Sequence, residues 1–356
     1  MSAVESFRQF RQSRWWILLV RPLIFLAVSL IVARILINLV GSVDWRQVGT
    51  ALSQLEWAQV PLLVGLLIVR QAFNSVPLSV FVPGLGFRHG FQNDLTANLV
   101  GTVAPPPSDI VVRISMFRSW GISPVDGMPG VTLNSLAFYV IRFSVPILGV
   151  VLLIRSDLSG SQIWSAVISL IVAVGIIVSL VLVARGERFA RIMGRRAARV
   201  ASRVRDDVDA EVWAEKVAGF RATMSTRLSR GLPPSLGALA AMVITDGLIV
   251  LVCLRLVGVD SSLLPVALVL GSFFVAYPLT ALPLAGLGVL DAALVVAYTE
   301  TAGVEWEPEI VAALVVWRVL TIIGTLALGG LSFAWWRWQI SRGRILSGDD
   351  PDEAGP

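Results

Sequence analysis

Two polar, proline- and glycine-broken interruptions constrain this otherwise apolar chain more than any other feature. The first reads Ala104-Pro105-Pro106-Pro107-Ser108-Asp109 and is followed by Arg113; the second reads Pro283-Leu284-Ala285-Gly286-Leu287-Gly288 and is followed by Asp291. An apolar helical stretch trails each of them, with Arg142 inside the first stretch and Arg318 inside the second. Hydrocarbon offers no water to an open backbone, so a broken helix at membrane depth survives only where protein buries it or where it lines a cavity. An ionisable residue at that depth is a functional candidate by default. Two such breaks at corresponding places point to a transport-like site.

The membrane premise rests on composition. Of the 356 residues, 56% are hydrophobic and only 15% charged, whereas a soluble domain carries about 25% charged residues. Mean hydropathy is +0.78. The apolar runs are long enough for several helices of about 20 residues. The formal net charge of +5 reads as arginines facing anionic headgroups, because the basic residues sit beside the spans; nucleic-acid binding is not expected. With one cysteine, Cys253, and one histidine, His89, one chain can build neither a disulfide nor a Cys/His metal cluster. Cys253 reads as a small core residue and His89 as a surface-loop residue, or as a headgroup contact.

Loop charge orders the segments. Arg8, Arg11 and Arg14 precede an apolar stretch too long for a cleavable signal peptide, which predicts a retained first span over 19–40 starting in the cytoplasm. A headgroup-level segment over 44–57 and a second span over 60–82 follow, the latter carrying Arg70. Residues 91–104, with Asn93, Asp94 and Asn98, and residues 108–119 form two short helices around the first break. Ser123 caps the next helix, which opens on Pro124, carries Asn134 and Arg142, and runs to 154. A further span is expected over 163–184. Residues 185–233, basic and then acidic, read as an amphipathic cytoplasmic helical pair, with anionic-lipid sensing as the functional alternative. Residues 236–257 form another span with Asp246 and Arg255. Residues 262–282 enter the second break, 287–298 leave it, and a last span covers 310–336. The tail over 341–356 reads as disordered and cytoplasmic.

The fold class is therefore an all-α polytopic membrane protein. It has about six full spans and two broken, re-entrant helical hairpins in an inverted pseudo-repeat. The organisation is an N-terminal membrane half, 1–184, with the first hairpin at 91–119; a linker, 185–233; a C-terminal half, 234–340, with the second hairpin at 263–298; and the tail. Full crossings by both arms of each hairpin give the same loop charge, so charge alone leaves both topologies open.

The ionisable residues supply the chemistry. Asp109 and Arg113 are four apart and share a helix face on which they can pair. Arg318 is within reach of Asp291, and Arg142 is the first-half counterpart of Arg318. Guanidinium binds phosphate bidentately and stays charged. Free N–H groups at Ser108, or at the Gly286–Gly288 turn, would add anion affinity. The candidate binding set is thus Arg113, Arg142, Arg318, Asp109, Asp291, Ser108, Gly286 and Gly288. Internal ion pairs holding helices together are the alternative reading of these charges, and the leading one for Arg70, Asp246 and Arg255. No cofactor or metal is expected, and no catalytic domain fits: the chain has no Walker A motif and no nucleophile–His pair.

At these same residues the chain resembles the lysylphosphatidylglycerol synthase transmembrane, or flippase-like, family. The resemblance runs through Leu99-Val100-Gly101, 105–113, Gly121-Ile122-Ser123-Pro124, 283–289, Gly303, Ala312-Ala313-Leu314 and Trp317-Arg318. It covers about 15–340. Two departures stand out: Ala285 replaces a family glycine and Asp291 a family Glu. Fused members add a synthase half; this chain carries the membrane half. The resemblance implies lipid translocation, not lipid aminoacylation.

The expected function is a non-enzymatic flippase or translocase of the cytoplasmic membrane, with both termini in the cytoplasm. It would move an anionic phospholipid or a polyprenyl-phosphate lipid. One alternative is a non-transporting accessory subunit of a lipid- or polyprenol-modifying transferase. The lower alternative is a membrane enzyme using Asp109 or Asp291 as base.

Overall fold

The computed structural model describes residues 50, 57–104, 107–154, 171, 174–175 and 210–342. All elements among them are helical. That outcome follows from apolar surface facing lipid: only a helix satisfies its own backbone within a single segment. α1 is Val60–Phe81, α2 Phe87–Val103, α3 Ser108–Ser119 and α4 Pro124–Leu153; α5 is Ala210–Leu256, α6 Val266–Ala276, α7 Val289–Ala302, α8 Glu307–Arg318 and α9 Thr325–Ser341. A π-helical stretch, Val319–Gly324, joins α8 to α9 without a turn. The expected first span and all but three residues of 163–184 lie outside the described residues, as do 185–209 and the tail beyond Arg342.

Four described helices are long and apolar enough to cross a membrane: Val60–Phe81, Pro124–Leu153, Arg230–Leu256 and Val304–Ser341. Leu62, Val69, Leu148, Val151, Ile323 and Leu331 stand exposed on these helices, while Gln71, Asn93, Asp94, Asp246 and Arg318 are buried. Apolar outside and polar inside is the arrangement a bilayer selects. This is a multi-pass helical membrane protein.

The first break follows its sequence closely. α2 stops at Val103 and α3 starts at Ser108. α4 opens on Pro124, with the Ser123 hydroxyl accepting the Val125 N–H at 3.2 Å. α2 begins at Phe87 rather than 91, so His89 lies in a helical first turn and not in a loop. α2 and α3 have 17 and 12 residues, about 26 and 18 Å of helix, against a hydrocarbon core of about 30 Å. The arms of the second break, α6 and α7, have 11 and 14 residues. None of these four arms is among the candidate spans.

One expectation fails at Pro233-Pro234. Residues 210–233 form no separate linker helix; they are the start of α5, which continues through both prolines to Leu256. Proline removes an N–H but keeps a helical φ, and near the end of a span water or neighbouring groups can take the freed carbonyls.

Packing joins the two halves. α5 lies against α1, α4 and α8; α4 packs on α6; and α9 packs on α2. The α4–α6 contact is a close backbone approach: a Cβ at Gly149 would stand 2.7 Å from the Gly271 carbonyl oxygen. Small residues at such crossings give membrane helices their packing energy. Gly149→Val should therefore cost about 1–3 kcal/mol by overpacking, read as a lower thermal unfolding midpoint in detergent. Gly237→Ala, in helical α5 with nothing within 4 Å, should instead gain about 0.4–1 kcal/mol.

Candidate functional site

The first half builds a polar cavity. A space of about 250 Å³ is lined by Asn74 of α1, Asp94 and Asn98 of α2, Arg113 of α3, and Asn134, Ser135, Phe138, Tyr139 and Arg142 of α4. Asn134 and Arg142 are the eleventh and nineteenth of the thirty residues of α4, about 15 and 27 Å along a helix of about 45 Å. The cavity thus lies at the middle depth of the helix that forms one wall.

Its two arginines differ in kind. Arg113 is paired: Nη2 donates to Asp94 Oδ1 at 2.9 Å and Nη1 to Asn93 Oδ1 at 2.8 Å. The second Asp94 oxygen accepts the Asn74 amide. The expected Asp109–Arg113 pair does not form. Asp94, 4% exposed, needs a cation more than Asp109 does, because Asp109 sits half-buried in the first turn of α3 where the helix dipole already favours an anion. Arg142 has no hydrogen bond or ion pair among the described residues. Its guanidinium lies 4.5 Å from the Phe138 ring centroid and 5.3 Å from that of Tyr139, and its Nε is buried without a partner.

The second break is a clasp rather than a cavity. Arg318 Nε donates to Asp291 Oδ1 at 2.7 Å and Nη1 donates to the Ala285 carbonyl at 3.3 Å. The other Asp291 oxygen accepts the Gly288 N–H at 2.7 Å and so caps α7. Here the Asp291–Arg318 pair is present, and two N–H groups of the turn are bonded within the chain. The Gly288 N–H is taken by Asp291, and the Gly286 N–H donates to the Leu282 carbonyl at 3.2 Å. Gly286 has φ +70, and a Cβ there would collide with the Leu279 carbonyl oxygen. Chain geometry alone therefore requires glycine at this position.

A buried polar chain links the clasp to the first half. Trp317 Nε1 donates to Asp246 Oδ1 at 3.0 Å, and Arg70 Nη2 pairs with Asp246 Oδ2 at 3.1 Å. Arg70 and Asp246 thus form an internal ion pair; the sequence favours structural pairing for both without naming the partner. Arg255 instead caps the end of α5, donating to the Val259 and Leu264 carbonyls, each at 2.6 Å. The 3₁₀ turn Tyr277–Ala281 that enters the second break packs on α4, as does α6. The helix that carries Arg142 therefore lies at the junction of the two halves.

Ser108 lines another open space of about 430 Å³, with Val100, Val111, Phe333 and Trp336, away from Arg142. A larger groove of about 780 Å³ runs between α2 and α9, lined by Phe87, Phe91, Leu95, Leu331 and Trp335. It is mostly apolar and suits hydrocarbon better than a headgroup. At its edge His89 stacks on Trp120 with ring centroids 4.6 Å apart. Burial and the neighbouring Arg88 hold its imidazole below the usual histidine range, so it is neutral near pH 7. Among the described residues no acidic, His or Cys cluster could hold a metal ion.

Asn74, Asp94, Asn98 and Asn134 complete the cavity but were not in the predicted set. The available signal was the polar Asn93-Asp94 and Asn98 run in α2, whose i, i+4 spacing puts Asp94 and Asn98 on one face.

The class is thus a helical membrane protein with short helices on either side of two breaks and arginines within its helical core. The model of the family described as the lysylphosphatidylglycerol synthase TM region matches residues 18–329, and the chain belongs to that family. Comparison with curated proteins and with solved structures gives no match.

The two arginine environments predict opposite stability effects. Asp291→Asn leaves Arg318 buried without its counter-ion and uncaps α7, and should cost about 3–5 kcal/mol. Arg142→Gln breaks no ion pair and should cost less than about 1 kcal/mol. Thermal unfolding of both variants in one detergent compares them.

Proposed function

We propose that this chain is a lipid translocase of the cytoplasmic membrane, carrying an anionic phospholipid or polyprenyl-phosphate lipid past the midplane through the Arg142 cavity. One observation carries the reading: a guanidinium without a counter-ion stands in a polar cavity halfway along the helices. An unpaired charge at that depth is costly, and a protein that keeps one has a use for the anion it attracts. Arg142 supplies the charge, while Arg113 is held by Asp94 and shapes the wall. The clasp of Asp291 and Arg318 anchors the second hairpin and does not touch the headgroup.

In this reading the short arms α2–α3 and α6–α7 are re-entrant hairpins entering from opposite faces. The tails of the cargo stay in the bilayer while the headgroup crosses. The apolar groove between α2 and α9 gives a tail a surface to follow. Both termini are cytoplasmic, and the chain performs no covalent step.

The test is transport of fluorescent phosphatidylglycerol in proteoliposomes, read by quenching of the outer leaflet. Wild type should move the lipid. Arg142→Gln should slow it by about tenfold or more, the loss of one charge-assisted hydrogen bond at about 1.5–3 kcal/mol. A purified wild-type protein that moves no anionic lipid, and copurifies with a lipid-modifying transferase, would overturn the reading in favour of an accessory subunit.

A further inference from the structure

We infer that the cavity selects a phosphodiester lipid whose headgroup also carries a hydrogen-bond donor, with Arg142 holding the phosphate and Asn134 taking the donor. This deepens the proposed function and rests on its choice of headgroup seat. The starting observation is that two buried polar atoms of opposite kind lack partners in the one cavity: Arg142 Nε, a donor, and Asn134 Oδ1, an acceptor. Unmet buried polar atoms are rare, and each asks for an explanation.

The remaining polar groups narrow the ligand. The lining holds two guanidiniums and one carboxylate, a surplus of one positive charge. Asp94 has both oxygens occupied, by Arg113 and by Asn74. Arg113 has both terminal nitrogens occupied, by Asn93 and Asp94. Arg113 keeps further N–H groups, but turning it to a ligand would break its pairing with Asp94. Of the lining charges, Arg142 alone makes no hydrogen bond or ion pair among the described residues, and with aromatic rings against its guanidinium its in-plane N–H groups remain for a planar, bidentate acceptor. A monoanion neutralises the surplus. A phosphomonoester dianion would leave one negative charge unmet in a low-dielectric site.

Asn134 supplies the second half of the code. A phosphate diester has only acceptors, so it cannot serve Asn134 Oδ1; a hydroxyl or ammonium on the same headgroup can. Eight residues separate Asn134 from Arg142, about 12 Å along the helix axis. Side chains on a helix lean toward its N-terminus, so Arg142 reaches back toward Asn134 and shortens that gap. A glyceryl or sugar group beyond the phosphate fits the span, and a bare methyl ester does not.

The experiment uses the full chain in phosphatidylcholine nanodiscs and measures equilibrium binding of fluorescent phosphatidylglycerol with four competitors. These are unlabelled phosphatidylglycerol, phosphatidylmethanol as a diester without a donor, phosphatidic acid as a monoester, and water-soluble glycerophosphoglycerol. Phosphatidic acid is compared at about pH 8, well above its second ionisation near 6. Wild type should prefer phosphatidylglycerol to phosphatidylmethanol by about threefold to tenfold, and Asn134→Leu should erase that preference while still binding both. Erasure of the difference is the coupling that ties Asn134 to the headgroup hydroxyl. Arg142→Gln should weaken every diester by about tenfold or more.

Phosphatidic acid competing as well as phosphatidylglycerol would overturn the diester assignment. A phosphatidylglycerol preference that survives Asn134→Leu would overturn the donor assignment, and glycerophosphoglycerol binding as tightly as the lipid would overturn the lipid assignment. Thermal unfolding of each variant confirms that it is folded when assayed. Selective binding without translocation would sink the translocase reading and leave this inference standing; translocation without selectivity would do the reverse.

Discussion

A charge inside hydrocarbon must be met by the protein, and the described membrane core is organised around that requirement. Three carboxylate–guanidinium pairs meet it: Asp94 with Arg113, Asp246 with Arg70, and Asp291 with Arg318. Each ties together elements that the chain alone would not hold. Arg113 binds the helix after the first break to the helix before it. Arg70 and Asp246 join α1 to α5. Arg318 holds the start of α7 against the end of α8. Removing one member of such a pair strands the other in low dielectric, which is why breaking a pair costs far more than the pair itself contributes.

Against this background Arg142 is the exception. By their places after the two breaks Arg142 and Arg318 are counterparts, yet Arg318 has a counter-ion and Arg142 has none among the described residues, although Arg318 Nη2 is also buried without a partner. The difference lies in where their acids fall. In the second half Asp291 occupies the third position of α7, where one oxygen caps the helix and the other reaches Arg318. In the first half the nearest buried acid, Asp94, is already claimed by Arg113. The two halves share a pattern of breaks without sharing a pattern of charge. The backbone at the second break carries a related signature. Ala285 has φ 55, a left-handed conformation that costs an L-residue about 1–2 kcal/mol and costs glycine little. Where this chain has Ala285, the family resemblance sets a glycine, which is what that backbone favours.

Much of the helix layout was legible because its signals are local. Ser123-Pro124 marks the start of α4, and the break at 104–108 and the start of α3 at Ser108 follow from proline and an exposed helix end. Pairings across helices were legible only where one partner was available. Arg318 and Asp291 were matched because no basic residue lies nearer to Asp291 in sequence. Arg113 was assigned to Asp109 by i, i+4 spacing, yet it turns to Asp94 nineteen residues earlier, since burial outranks proximity along one helix. The continuity of α5 through Pro233-Pro234 was not legible, because proline's cost depends on what surrounds the freed carbonyls. Asn134 escaped notice as a binding group for a similar reason: only the assembled cavity reveals that its oxygen has no partner.

On the proposed function, Arg142 stands without a counter-ion among the described residues so that a lipid phosphate can meet it. An experimental structure of the full chain in nanodiscs containing phosphatidylglycerol would show whether it does. Phosphate density is expected against the in-plane edge of the Arg142 guanidinium, with Asp94–Arg113 and Asp291–Arg318 still paired. A carboxylate of the chain itself bound to Arg142, with no lipid density in the cavity, would contradict it.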